Sequence, residues 1–392
     1  MRVARLPCVR LAAVFLAVGL TSACSTADLR PGTLPDRASL LSGESVFGEP
    51  VATDTLPELD ILAASDEMQA FVAAVVGDTR MPNVKFRRLL KGLADHGYFN
   101  QSYVADITRT ASDTFARKSG NCLSYTNLFI ALARGAGLEA RYQMVDVPPS
   151  WDADAGYIIR YTHINVVMRG FGFDPIYGRE TSVDFNDVLP EPDYPRREIS
   201  DREAAALFYA NRSISLLRSG DSREAFVHLK KAIELDPDNA NLWINLGAFY
   251  AKQEAYPQAL GAYRIALHED PGNRGAVSGL GRAHYLLGNL EEAERYEARA
   301  RRYRDGNPYY HYAIAQVEYE RAHYDQALEA INAAIGLKYR NGRFHFLKGL
   351  TEYKLGDLDE AQNSFRRAAR YGNYRDLKQR YLGDLAQVEQ PG

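Results

Sequence analysis

The sequence predicts an α+β domain followed by an all-α solenoid of helical repeats. Two observations carry this. From residue 200 onward small residues return every 34 positions: Ala225, Ala259, Ala293, Ala327 and Ala361 form one column, and Ala232, Ala266, Ala300, Ala334 and Ala368 a second. Between residues 59 and 195, helical spacing of apolar residues gives way after Gly135 and Gly137 to runs of β-branched and aromatic residues. Helices followed by antiparallel strands make an α+β domain. A fixed period of this length means stacked supersecondary units.

The first 23 residues read as an address. Arg2, Arg5 and Arg10 precede the apolar run Leu11 to Leu20, which is too short to cross a bilayer. The run closes on Leu20-Thr21-Ser22-Ala23-Cys24, which resembles a bacterial lipoprotein signal. That resemblance implies cleavage before Cys24 and lipid on its thiol. Thr21 stands where Leu is commonest, so ordinary secretory cleavage is the alternative. Ser25, where an Asp would retain the protein at the inner membrane, implies an outer-membrane anchor facing the periplasm. Residues 24–58 are rich in Ser, Thr, Pro, Gly and Asp and read as a flexible tether.

The α+β domain is expected over 59–195. Leu59 to Val76 and Val84 to Leu93 have helical spacing, and Tyr103 to Arg134 continues it with a break at Ser119-Gly120-Asn121. Leu138 to Val147, Tyr157 to Met168 and Phe171 to Phe173 read as strands, the last two joined by a turn at Arg169-Gly170. The Pro-rich stretch 189–197 is a linker. Five repeats then fill 200–375, with a tail at 376–392. Ser213, Gly247, Gly281, Ala315 and Gly349 make a third small-residue column. Trp243, Leu246, Gly247, Tyr250, Ala259, Tyr263, Ala266 and Pro271 resemble the tetratricopeptide pattern position by position. Units four and five lack the closing Pro, with Tyr339 in its place in the fourth, so an irregular junction is expected between them.

Composition narrows the function. Net charge is −3 and 25% of residues are charged, an ordinary surface that offers nothing for nucleic acid. No glycine-rich phosphate loop or Cys/His cluster implies a cofactor or a metal; His228, His268, His284, His311, His323 and His345 have no ligand-like spacing. Arg299 to Tyr312 combines four Arg with four Tyr, which reads first as a solvated helix end. Of three cysteines, Cys8 leaves with the leader and Cys24 takes the lipid. Cys122 then has no second cysteine to form a disulfide with, which is unusual in an exported protein.

Cys122 opens an apolar helical stretch directly after the polar turn Ser119-Gly120-Asn121. A cysteine there is most often a small buried hydrophobe. A helix N-terminus, however, favours thiolate and offers N–H groups for an oxyanion. His163 and Asp174 follow on successive expected strands. With a two-residue turn at Arg169-Gly170, Asn165 faces Asp174 and His163 lies diagonal to it, ~7–8 Å apart at Cα. Asn165 shares that face and is the alternative orienting group.

Gly120-Asn121-Cys122, the Leu128 to Arg134 helix, Gly137 to Arg141, His163 and Phe173-Asp174-Pro175 together resemble the bacterial transglutaminase-like superfamily. The resemblance implies a papain-related fold and a triad with Cys122 as nucleophile, His163 as base and Asp174 as orienter. It further implies acyl transfer through a thioester, ending in amide hydrolysis, as in a cysteine protease, or transfer to an amine. The family commonly has an aromatic just after the Cys; here Leu123 stands there and Tyr125 is the nearest ring. The repeats are expected to hold a protein or peptide in their groove. The rival reading is a catalytically inactive envelope scaffold.

Overall fold

The computed structural model of the protein describes residues 36–372, apart from 55, 57–58, 99–103, 105, 146–149, 153–156, 160–162, 175–177 and 186–193. The expected leader, Cys24 and the tail 376–392 lie outside the described residues. The chain opens with two short helices, α1 (Arg37–Ser42) and α2 (Glu44–Phe47). The described part of the tether expected over 24–58, from residue 36 onward, is instead docked on the repeats. Leu40 and Val51 are buried. Tyr250 donates its hydroxyl to the Leu40 carbonyl, and Lys230 Nζ reaches the Val51 carbonyl at 2.6 Å. Arg37 pairs with Glu269 and lies 5.2 Å over the Trp243 ring, while Phe47 packs edge-on against Phe226 at 5.6 Å. The polar average of the segment conceals these apolar and cationic anchors.

Four helices follow: α3 (Asp66–Val76), α4 (Pro82–Asp95), α5 (Ala111–Arg117) and α6 (Cys122–Gly135). α3 starts later than its apolar spacing suggests, because the Ser65 hydroxyl caps the Met68 amide at 3.3 Å. After α6 come β1 (Glu139–Val145), the small pair β2 (Ser150–Asp152) and β3 (Tyr157–Ile159), then β4 (His163–Asp174), β5 (Gly178–Val183) and β6 (Arg196–Ile199). The main sheet is antiparallel with order β5-β4-β1-β6, and α6 packs on β1 and β4.

Two sequence expectations fail here. Arg169-Gly170 is no turn: β4 runs unbroken from His163 to Asp174, and Asp174 pairs with Gly178. The register shifts between Arg169 and Asp174, so the glycine marks an irregularity within a strand. The linker expected at 189–197 also yields its end to the sheet, since β6 pairs with β1 from Val145↔Arg196 to Tyr142↔Ile199. The α+β domain therefore extends to Ile199 instead of 195. Only Ser200, the N-cap of the next helix, separates the two modules.

The repeats are five helix pairs: α7 (Asp201–Ser219) with α8 (Ser222–Leu235), α9 (Ala240–Lys252) with α10 (Tyr256–Glu269), α11 (Arg274–Leu286) with α12 (Leu290–Asp305), α13 (Pro308–Glu320) with α14 (Tyr324–Leu337), and α15 (Gly342–Leu355) with α16 (Leu358–Tyr371). Every Ala of the two columns is buried, as close helix crossings require. A further column, Asn239, Asn273, Asn307 and Asn341, caps the first helix of repeats two to five through the side-chain oxygen.

The α+β domain and repeats one to three share a continuous apolar core; a second core joins repeat four to α15 of repeat five, and α16 carries smaller ones. The loose junction is thus between α12 and α13, not at Tyr339, where α14 and α15 pack closely. Arg299 to Tyr312 fills that loose junction. Arg299 donates to Tyr303 and to the Pro271 carbonyl, and Lys338 sits over the Tyr309 ring and bonds its hydroxyl at 2.6 Å.

Candidate active site

The helix that Cys122 opens is built around its first turn. Asn121 is the N-cap of α6: its side-chain oxygen accepts from the Ser124 amide at 3.1 Å, while Nδ2 donates to Thr108 Oγ1 at 2.6 Å. The Ser124 hydroxyl accepts from the Arg109 amide, and Asn127 Nδ2 donates to the Arg109 carbonyl. Residues 107–110 are so stapled to the start of α6. Gly120 permits the approach: a Cβ there would lie 2.5 Å from Ser124 Cβ. Tyr125 donates its hydroxyl to the Lys118 carbonyl at 2.9 Å, and burial pushes its phenol pKa up, so it stays a donor.

Topology then sets which end of the sheet lies beside the start of α6. Gly135 and β1 are separated by a tight turn, so α6 and β1 run back along each other. α6 has 14 residues and spans about 21 Å; β1 has 7 and spans about 24 Å. The N-terminus of α6 therefore lies at the end of the sheet where β1 finishes and β4 begins, with Val145 opposite His163. Cys122 is half-buried at this end and His163 is buried.

The carboxylate at His163 is Asp184, immediately after β5. Its Oδ2 lies 2.6 Å from His163 Nε2, with both side chains at least nine-tenths buried. Asn165 Nδ2 donates to the same oxygen at 3.3 Å. The neighbouring ladder pair is Val166↔Val183, which places Asp184 opposite Asn165 and diagonal to His163. The expected register, with Asp174 opposite Asn165, does not form; Asp184 takes that position. Asp174 lies eleven residues along β4 from His163, on the order of 30 Å of extended chain. Phe185 ties the pair to α6, its ring 6.0 Å from Tyr125 and 5.7 Å from Phe129.

Nothing in the chain singled out Asp184 in advance except a faint parallel. Val183-Asp184-Phe185 repeats the apolar–Asp–turn look of Phe173-Asp174-Pro175, at the end of a polar stretch that gives little strand signal. Among the described residues no group of His, Cys, Asp and Glu is arranged to hold a metal ion.

Comparison with known proteins fits this geometry. The transglutaminase-like superfamily matches residues 69–171, taking in Cys122 and His163. Tetratricopeptide repeat families match 211–274 and 312–386, and 250–317. The chain carries a transglutaminase-like domain followed by tetratricopeptide repeats. Hsp70-Hsp90 organizing protein 1 of Glycine max is 29% identical over 116 residues, 28% of this chain and 20% of that protein. The chain thus spans about a fifth of that curated relative's length. Among solved structures, MamA protein is 23% identical, covering 43% of this chain and 91% of its own, with a TM-score of 0.25. YrrB, described as a TPR protein with an unusual peptide-binding site, is 20% identical over 45% of this chain and 92% of its own, at 0.24. Pseudomonas aeruginosa pilF is 21% identical over 49% and 95%, at 0.26. The match to the transglutaminase-like domain ends at 171, ahead of both aspartates, so the choice between them rests on the 2.6 Å contact to His163.

Proposed function

We propose that the transglutaminase-like domain is an acyl-transfer enzyme with Cys122 as nucleophile, His163 as acid–base and Asp184 as the orienting carboxylate. The observation that carries this is the buried His163–Asp184 contact at the N-terminal end of the Cys122 helix. Nε2 of the ring meets Asp184, which leaves Nδ1 for proton exchange with the thiol. The Cys122 thiolate attacks a carbonyl carbon and forms a C–S bond. The oxyanion is received by N–H groups of the first turn of α6, which a helix cannot satisfy internally. His163 passes the proton to the leaving amine as the C–N bond breaks. Water or a second amine, deprotonated by His163, then attacks the thioester and releases Cys122.

The tetratricopeptide solenoid is a protein-interaction module, and we assign it the polypeptide partner or substrate of this chemistry. The test is an acyl donor that needs no specificity. A p-nitrophenyl ester should leave its acyl group on Cys122, seen as a mass increase on the peptide holding that residue, and added amine should speed release. Failure of any ester to acylate Cys122 would favour an inactive scaffold.

The leader supports a lipid anchor on Cys24 in the outer membrane, facing the periplasm. Cys24→Ser is expected to abolish lipid labelling and to release the protein or stall its processing, since several acyl chains hold far better than one. A mature wild-type chain that begins elsewhere and carries no lipid would refute the anchor.

A further inference from the structure

Asn165 is 2% exposed, beside the His163–Asp184 pair. Its Nδ2 donates to Asp184 Oδ2, the oxygen that also meets His163, at 3.3 Å. Its own Oδ1 is buried without any hydrogen-bond partner. A buried acceptor left without a donor destabilises a fold, whereas an apolar group of similar shape does not. Leu would fill much the same space, and Ile164, Val166 and Val167 on the same strand are apolar and buried. An amide at this point of an apolar strand therefore costs stability, and the contact it provides in return is the one to the orienting carboxylate.

We propose that Asn165 is a positioning residue that fixes Asp184, and through it the His163 ring, for exchange with Cys122. Two donors on one oxygen leave the carboxylate a single rotamer, and the rigid β4 backbone supplies both donors from alternate residues. His163 and Asn165 point to one face because strand side chains repeat every second residue. Without the amide, Asp184 Oδ2 loses the donor that shares it with His163, and the ring is held less firmly. This inference rests on the acyl-transfer reading above.

The test uses the purified chain and iodoacetamide as the thiol probe. Asn165→Leu is expected to slow alkylation of Cys122 at least tenfold at neutral pH, with an unchanged or higher melting temperature. The ring N–H proton resonance of His163, identified by its loss in His163→Ala, should broaden or move. A purely structural Asn165 predicts the reverse: a lower melting temperature, with alkylation and resonance unchanged in the folded fraction. Should Asn165→Leu not fold, Asn165→Ser, which shortens the side chain without filling the site, is read by alkylation rate and ring resonance alone, because the cavity lowers its melting temperature in either case. Fast wild-type alkylation matched by the folded variant would overturn this inference alone. Wild-type alkylation no faster than that of free cysteine would overturn the acyl-transfer reading and this inference with it.

Discussion

Cys122→Ala is expected to lower acyl transfer on the order of 10⁴-fold or more while leaving the fold nearly intact. Removing the nucleophile of such a triad leaves only the oxyanion donors and substrate binding, a residue of activity far below the original. The stability change should be small because Cys122 is half-buried at the margin of the core and its sulfur is one atom. Large core deletions cost ~2–5 kcal/mol through the cavity they leave; this truncation should cost under about 2. Denaturant melts beside turnover assays check both halves. A strong loss of stability with no loss of turnover would make Cys122 a core residue only.

Gly247→Leu should destabilise the repeats by ~3 kcal/mol or more, the upper end of overpacking costs. The Tyr263 ring explains the size of the effect. A Cβ on Gly247 would meet it at 2.5 Å, and one on Gly279 of the next repeat would meet it at the same distance. The ring is held between two glycines and has no direction in which to yield. Replacing a helical glycine gains only about 1 kcal/mol of propensity, so the clash decides the sign. Lys252→Ala, exposed on the same helix, is the control and should change the melt little. Equal midpoints for the two variants would refute this account of the column.

The solenoid was legible because its packing is local and repeats: a small residue at each crossing leaves a 34-residue mark that five units average into certainty. The asparagine caps carry the same period at 239, 273, 307 and 341, and reading only small residues passes over them. In the candidate site the placement of Cys122 and His163 was legible, since their neighbours signal a helix start and a strand start. Asp184 was not, for a specific reason. Gly170 looks like a turn residue, and placing the turn there pairs Asn165 with Asp174. The chain instead carries β4 past the glycine and returns through β5, whose Gly-Arg-Glu-Thr-Ser-Val has little apolar alternation. The docked segment at α1 and α2 was hidden similarly, by a polar composition around a few anchors that find partners only on distant helices.

Asp184, not Asp174, is expected to complete the site with Cys122 and His163. The most direct test is the rate at which an acyl-electrophile probe labels Cys122 in wild type, His163→Ala, Asp184→Asn and Asp174→Asn. Labelling at neutral pH should be fast in wild type and in Asp174→Asn. Most of that rate should be lost in His163→Ala, with a clear reduction in Asp184→Asn. Equal rates in all four proteins, or a reduction in Asp174→Asn with Asp184→Asn unaffected, would contradict the Asp184 assignment.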